Sequence, residues 1–172
     1  MITQATWQVV VIYEDPETRE TAVSFCDRMV ERFWSQVGFD IDWCSFDLLA
    51  KDACAGAAAE KAAGADLIVF ATRPGGELPL HLRAWTDAWL RRRGKREGVL
   101  VGLLAECAEA ADRHHYFRDL AHRGGLDYLT EVPQSLSYPL PGSPESYTER
   151  ADQVTSLLED ILHQPAPPPS VR

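Results

Sequence analysis

Glu14 and Asp15 follow the run Val9-Val10-Val11-Ile12 after Tyr13, with Glu17, Thr18, Arg19 and Thr21 close behind. A carboxylate at the end of a buried strand can accept the backbone N–H groups that open a following helix. A second stretch, Thr72-Arg73-Pro74-Gly75-Gly76-Glu77-Leu78, offers a hydroxyl and two glycines whose backbone tolerates close approach of a ligand. Together the two stretches have the parts of an anion or nucleotide site, but the first has the wrong sign. A phosphate seeks N–H donors and a positive helix end. A carboxylate at ~5 Å from it costs on the order of 1 to 3 kcal/mol per pair, and Glu14, Asp15 and Glu17 add up. Asp15, read as an N-cap, also takes the donors that a phosphate needs.

Other constellations carry weaker chemistry. Trp85 and Trp89, four apart behind the glycine turn, are either the wall of a flat aromatic ligand or two core residues of one helix face. Arg91, Arg92, Arg93, Lys95 and Arg96 form the basic cluster of the chain. It reads as a solvated helix end favoured by the helix dipole, with a docking patch for an acidic partner protein as the alternative. His114, His115 and His122 lack cysteine or carboxylate partners at metal spacing and read as surface or helix-packing residues. No serine sits in a nucleophile motif such as GxSxG. Cys26, Cys44, Cys54 and Cys107 form no CxxC pair, and their positions inside expected helices and strands suggest reduced core thiols.

The elements that must position these residues follow from periodicity. Val9–Ile12, Ala65–Ala71 and Val99–Ala105 are continuous apolar runs, as in strands covered on both faces, while Phe39–Phe46 alternates and suits an edge. Leu126–Val132 is the fifth strand. Asp15 and Pro16 predict a helix start, with Ala22, Phe25, Cys26, Met29, Val30, Phe33, Trp34 and Val37 as its buried face and Gly38 as its end. Further helices are expected from about Leu48 to Ala63, around Leu82–Trp89, from Ala108 to His122 with Gly124-Gly125 as the stop, and after Ser143-Pro144.

Five strands alternating with helices predict an α/β three-layer αβα sandwich with a parallel sheet of order 2-1-3-4-5, the flavodoxin-like arrangement. One domain over 1–164 and a mobile proline-rich tail over 165–172 account for the 172 residues. The formal charge of −9, from 26 acidic and 17 basic side chains, argues against nucleic acid and anionic membrane as partners. Met1–Trp7 lacks the basic start and apolar stretch of a secretory signal, and no apolar run approaches the ~20 residues of a membrane helix, so the expected location is cytoplasmic.

The stretch Ala65–Thr72, the glycine turn and then Pro79, Leu82, Arg83 and Asp87 resemble the flavin-contacting segment of NAD(P)H-dependent FMN reductases and related flavodoxin-like quinone reductases. The resemblance covers roughly 26 of the 172 residues. It implies FMN against Thr18, Thr72, Gly75 and Gly76, electron transfer from NAD(P)H to a small acceptor, and a homodimer. Where that family carries an aromatic residue before the glycine, this chain has Arg73-Pro74. Glu14 and Asp15 resemble the magnesium-binding pair of receiver domains, which implies a metal there. Yet Ala71-Thr72 and Thr130-Glu131 stand where receivers carry their phosphorylated aspartate and their lysine. The acidic first loop sets the leading expectation: a non-catalytic, flavin-free binding or regulatory module, with the FMN-dependent oxidoreductase and the receiver-like signalling domain as alternatives.

Overall fold

Side chains along a strand alternate between the two faces of its sheet, so an unbroken valine run demands cover on both sides. That cover is what the computed structural model shows for residues 5–132, which are the residues it describes. In strand β1, Thr6–Tyr13, Val9 and Val11 point to one face with Leu67, Val69 and Val101, while Val10 and Ile12 point to the other with Ile68, Phe70 and Leu100. Each such side chain contributes ~1.5 to 3 kcal/mol by leaving water. The sheet is parallel throughout and its order is β2-β1-β3-β4-β5, where β2 is Gly38–Ser45, β3 Leu67–Ala71, β4 Val99–Leu103 and β5 Asp127–Leu129.

Helix α1, Pro16–Phe33, covers one face through Ala22, Phe25, Cys26, Met29 and Phe33. Helices α2 (Phe46–Leu49), α3 (Asp52–Gly64), α4 (Leu80–Arg93) and α5 (Ala110–Gly124) cover the other. Strand order and layering make this a flavodoxin-like αβα sandwich. Among the described residues no helix is long and apolar enough to cross a membrane.

Local chemistry sets the boundaries. Asp15 and Thr18 form a reciprocal capping box, the Asp15 carboxylate accepting from Thr18 N at 2.8 Å and the Thr18 hydroxyl accepting from Asp15 N at 2.9 Å, with Pro16 in the first turn. Gly125, at φ +67°, ends α5 in the left-handed conformation that glycine adopts without penalty. Gly102 in β4 leaves room for a neighbour: a Cβ there would collide with the Tyr128 hydroxyl.

Several expectations need correction. The alanine-rich helix is two helices: Ser45 caps a first turn through Leu48 N, and the chain breaks at Ala50-Lys51 before α3. Trp34 is 68% exposed although its backbone is still helical, because the buried face runs through Phe25, Met29 and Phe33 and Trp34 lies about 100° round the helix from Phe33. Cys107 is exposed in the β4–α5 connection and Cys54 is half-buried, so only Cys26 and Cys44 are core thiols. The expected loop, last helix and tail from Pro133 onward lie outside the described residues.

Candidate functional site

In an open α/β sheet the ligand crevice lies beyond the carboxyl ends of the strands where the winding reverses, here between β1 and β3. The loops 14–15 and 72–79 do meet there. They meet by bonding to each other. Arg73 Nε lies 2.5 Å from Asp15 Oδ2, and Arg73 Nη2 lies 3.7 Å from Glu17. The Arg73 backbone N–H donates to Glu14 Oε2 at 2.7 Å. Glu14 N donates to Ala71 O at 3.0 Å and to the Thr18 hydroxyl at 3.1 Å.

This accounts for the donors. The N–H groups of Glu14, Asp15, Thr18 and Arg73 are all taken by oxygens of the chain itself. The N–H of Thr18 and then the guanidinium of Arg73 hold the Asp15 carboxyl below its ordinary value of 3.8, and the same pairing raises Arg73. The residues therefore do not fit an FMN phosphate in this loop: the N–H groups of Glu14, Asp15, Thr18 and Arg73 are satisfied, and carboxylates surround the place. Nor is the acidic pair open for a cation, since Arg73 engages both Glu14 and Asp15. Among the described residues no group of three or more His, Cys, Asp or Glu side chains is disposed to hold a metal.

The glycine turn is organised from below. Arg113 is 5% exposed, and its guanidinium donates to Thr72 Oγ1 at 3.0 Å, Arg73 O at 3.1 Å, Gly75 O at 3.2 Å and Gly76 O at 2.8 Å. Burial pulls its pKa down. Gly76 turns at φ +82°, a conformation that a side chain would strain. Beside this turn opens a cleft of about 350 Å³, bounded by Gly75–Leu78, Arg83, Glu109, Asp112 and Tyr116. The Arg83 guanidinium sits over the Tyr116 ring at 5.9 Å. The cleft lies on the β4 side of the turn, away from the bridged crevice.

The candidate site residues are thus dispersed. Thr18 and Thr72 are buried, with hydroxyls spent on Glu14, Asp15 and Arg113; only Gly75 and Gly76 face the cleft. Trp85 and Trp89 do not line the cleft. Both are buried among Phe70, α3 and α4, and Trp85 Nε1 donates to Ala55 O at 3.1 Å. Of the residues carrying the flavin-reductase resemblance, Pro79 caps α4, Leu82 is buried, and Asp87 pairs with Arg123 at 3.0 Å.

The basic cluster is also not uniform. Arg93 is 6% exposed and donates to five carbonyls, those of Ala62, Ala63, Ala65, Arg96 and Glu97. It locks the end of α4 to the entry of β3 and is no part of a surface. Arg96 pairs with Asp66, whose other oxygen accepts from Gln8 N, and Arg92 lies 3.9 Å from Glu60. Arg91 and Lys95 are exposed. Of the histidines, His114 bonds the Tyr128 hydroxyl through Nδ1 at 2.6 Å, and His115 and His122 are exposed.

No protein-family model matches the chain, and neither does any curated protein sequence. Among solved structures it is similar to a short-chain flavodoxin associated with a PDU bacterial microcompartment, at 14% identity and a TM-score of 0.49 over 91% of this chain and 98% of that one. It is also similar to Trp repressor binding protein from Bacillus subtilis, at 13% identity and a TM-score of 0.45 over 92% and 99%. A third is the two-electron reduced flavodoxin of Megasphaera elsdenii, at 13% identity and a TM-score of 0.45 over 73% and 88%. These are likenesses of fold, and the chemistry of the site rests on this chain's own residues.

Proposed function

We propose that this chain is a flavin-free, non-catalytic binding or regulatory module built on a flavodoxin-like fold, with its ligand-facing surface at the cleft beside Gly75 and Gly76. One observation carries the reading: Arg73 bridges to Asp15 and Glu14 across the crevice where the fold would otherwise seat a cofactor. A module of this kind works by recognition. A protein partner would meet the exposed basic end of α4 at Arg91, Arg92, Lys95 and Arg96, leaving Arg93 out because it is buried. The test is the visible spectrum of the purified protein followed by FMN titration with tryptophan fluorescence. A colourless protein with no quenching supports the reading, and a yellow protein or micromolar quenching removes it.

The FMN-dependent NAD(P)H oxidoreductase stands as the second reading. It is favoured by the 350 Å³ cleft at the turn where the resemblance places a flavin ring. A pocket of that size is at the small end for an organic ligand. The receiver-like reading would need Arg73 to leave Glu14 and Asp15; magnesium-dependent quenching that disappears in Asp15→Ala would support it.

A further inference from the structure

We propose that Glu14 and Asp15 are the determinants by which this fold rejects a phosphate-bearing cofactor, and that Arg73 is the positioning residue that fixes them in the rejecting arrangement. The proposal rests on the flavin-free reading and names what enforces it.

Rejection has two physical parts. The first is occupancy. A phosphate reaching this loop must displace the Asp15 carboxylate from Thr18 N, where it bonds at 2.8 Å, and the Glu14 carboxylate from Arg73 N, where it bonds at 2.7 Å. Both are charge-assisted bonds, the stronger class. The second part is charge. Glu14, Asp15 and Glu17 stand at the loop, and the guanidinium that bridges them, that of Arg73, is already paired with Asp15 and Glu17. Two further cations stand nearby, and the contacts they make are directed elsewhere: Arg113, within coulombic reach of Glu14, donates to Thr72 and to the carbonyls of Arg73, Gly75 and Gly76, and Arg19 lies over the Tyr13 and Trp43 rings.

Occupancy and charge are separable from folding. Serine is as good an N-cap as aspartate, so Asp15→Ser keeps the acceptor for Thr18 N and removes the charge. Glu14→Gln keeps the shape and an acceptor for Arg73 N. FMN and riboflavin carry the same ring and differ in the phosphate, so the ratio of their affinities reads the phosphate alone.

The experiment titrates wild type, E14Q and the double variant E14Q/D15S with FMN and with riboflavin, following flavin fluorescence, with thermal melts confirming that each is folded. Wild type is expected to take no FMN. The double variant is expected to gain at least about tenfold in FMN affinity with riboflavin unchanged, since two like charges are gone. E14Q, which leaves the α1 cap untouched, is expected to gain part of it. A folded double variant that still ignores FMN overturns this proposal alone, as does an equal gain for both flavins. Uptake of FMN by wild type overturns it together with the flavin-free reading.

Discussion

Arg73 Nε lies 2.5 Å from Asp15 Oδ2, which ties the turn after β3 to the cap of the helix after β1. The same residue's backbone N–H reaches Glu14. One residue thus closes the switch-point crevice twice, once through its side chain and once through its main chain, and the acidic loop that would repel a phosphate is also a structural joint.

The joint has a pH dependence of definite sign. Asp15 is held below its ordinary 3.8 by Thr18 N–H and Arg73, so its folded value lies under its unfolded one. The stabilisation it supplies is complete above 3.8 and is lost as the pH falls through the folded value. Asp15→Ala should cost ~0.5 to 2 kcal/mol at neutral pH through loss of the cap, and that cost should shrink in acid. Urea unfolding of both proteins across this range checks it; a difference that grows on acidification would contradict the sign.

Arg93 and Arg91 sit two residues apart in one basic run but should differ sharply. Burial, with Arg96 nearby, pulls the Arg93 guanidinium down to about 10, which still leaves it charged at neutral pH. Arg93→Met strands five carbonyls and should cost ~3 kcal/mol or more, whereas Arg91→Ala should stay within about 0.5 kcal/mol. Thermal or urea melts separate the two.

Arg113 should behave as the keystone of the glycine turn. Lysine carries a charge but no planar fork, so Arg113→Lys cannot reach all four oxygens and should loosen residues 72–76 while leaving the sheet intact. Hydrogen exchange should speed up in that turn and stay slow in β1 and β3. Unchanged protection in the turn would deny Arg113 this role.

Thiol labelling probes the core directly. Burial, then Asp27, pushes Cys26 up to about 12, and burial, then Cys54, pushes Cys44 up to about 11. In the folded protein an alkylating reagent should modify exposed Cys107 first and half-buried Cys54 more slowly, with Cys26 and Cys44 reacting only on unfolding.

Where residue type dictates environment, the fold was legible from the chain. Val9–Ile12 can only be a strand covered on both faces, Asp15-Pro16 starts a helix, and Gly125 stops one. What stayed hidden is what depends on partners distant in sequence. Arg93 reads as surface charge because composition gives charge and says nothing of burial, and for the same reason Arg113 draws no reading of its own. A signal was present: Trp85, Trp89 and Arg93 step by four, and Arg113, Phe117 and Leu120 step by four and three, so both arginines continue a buried stripe. Trp85 and Trp89 belong to that same stripe, which is why they line core and no cleft. The repulsion of a phosphate by Glu14 and Asp15 could be argued from sequence, but their attachment to Arg73 spans 58 and 59 residues and has no local signature.

The most direct test of the central claim is equilibrium dialysis of the freshly purified wild-type protein against FMN, with the flavin content of each compartment read from its visible absorbance. The bridged crevice predicts equal FMN on both sides at micromolar concentrations and no flavin released when the protein is denatured. Stoichiometric retention of FMN by the protein would contradict the account and turn the reading to a flavin oxidoreductase.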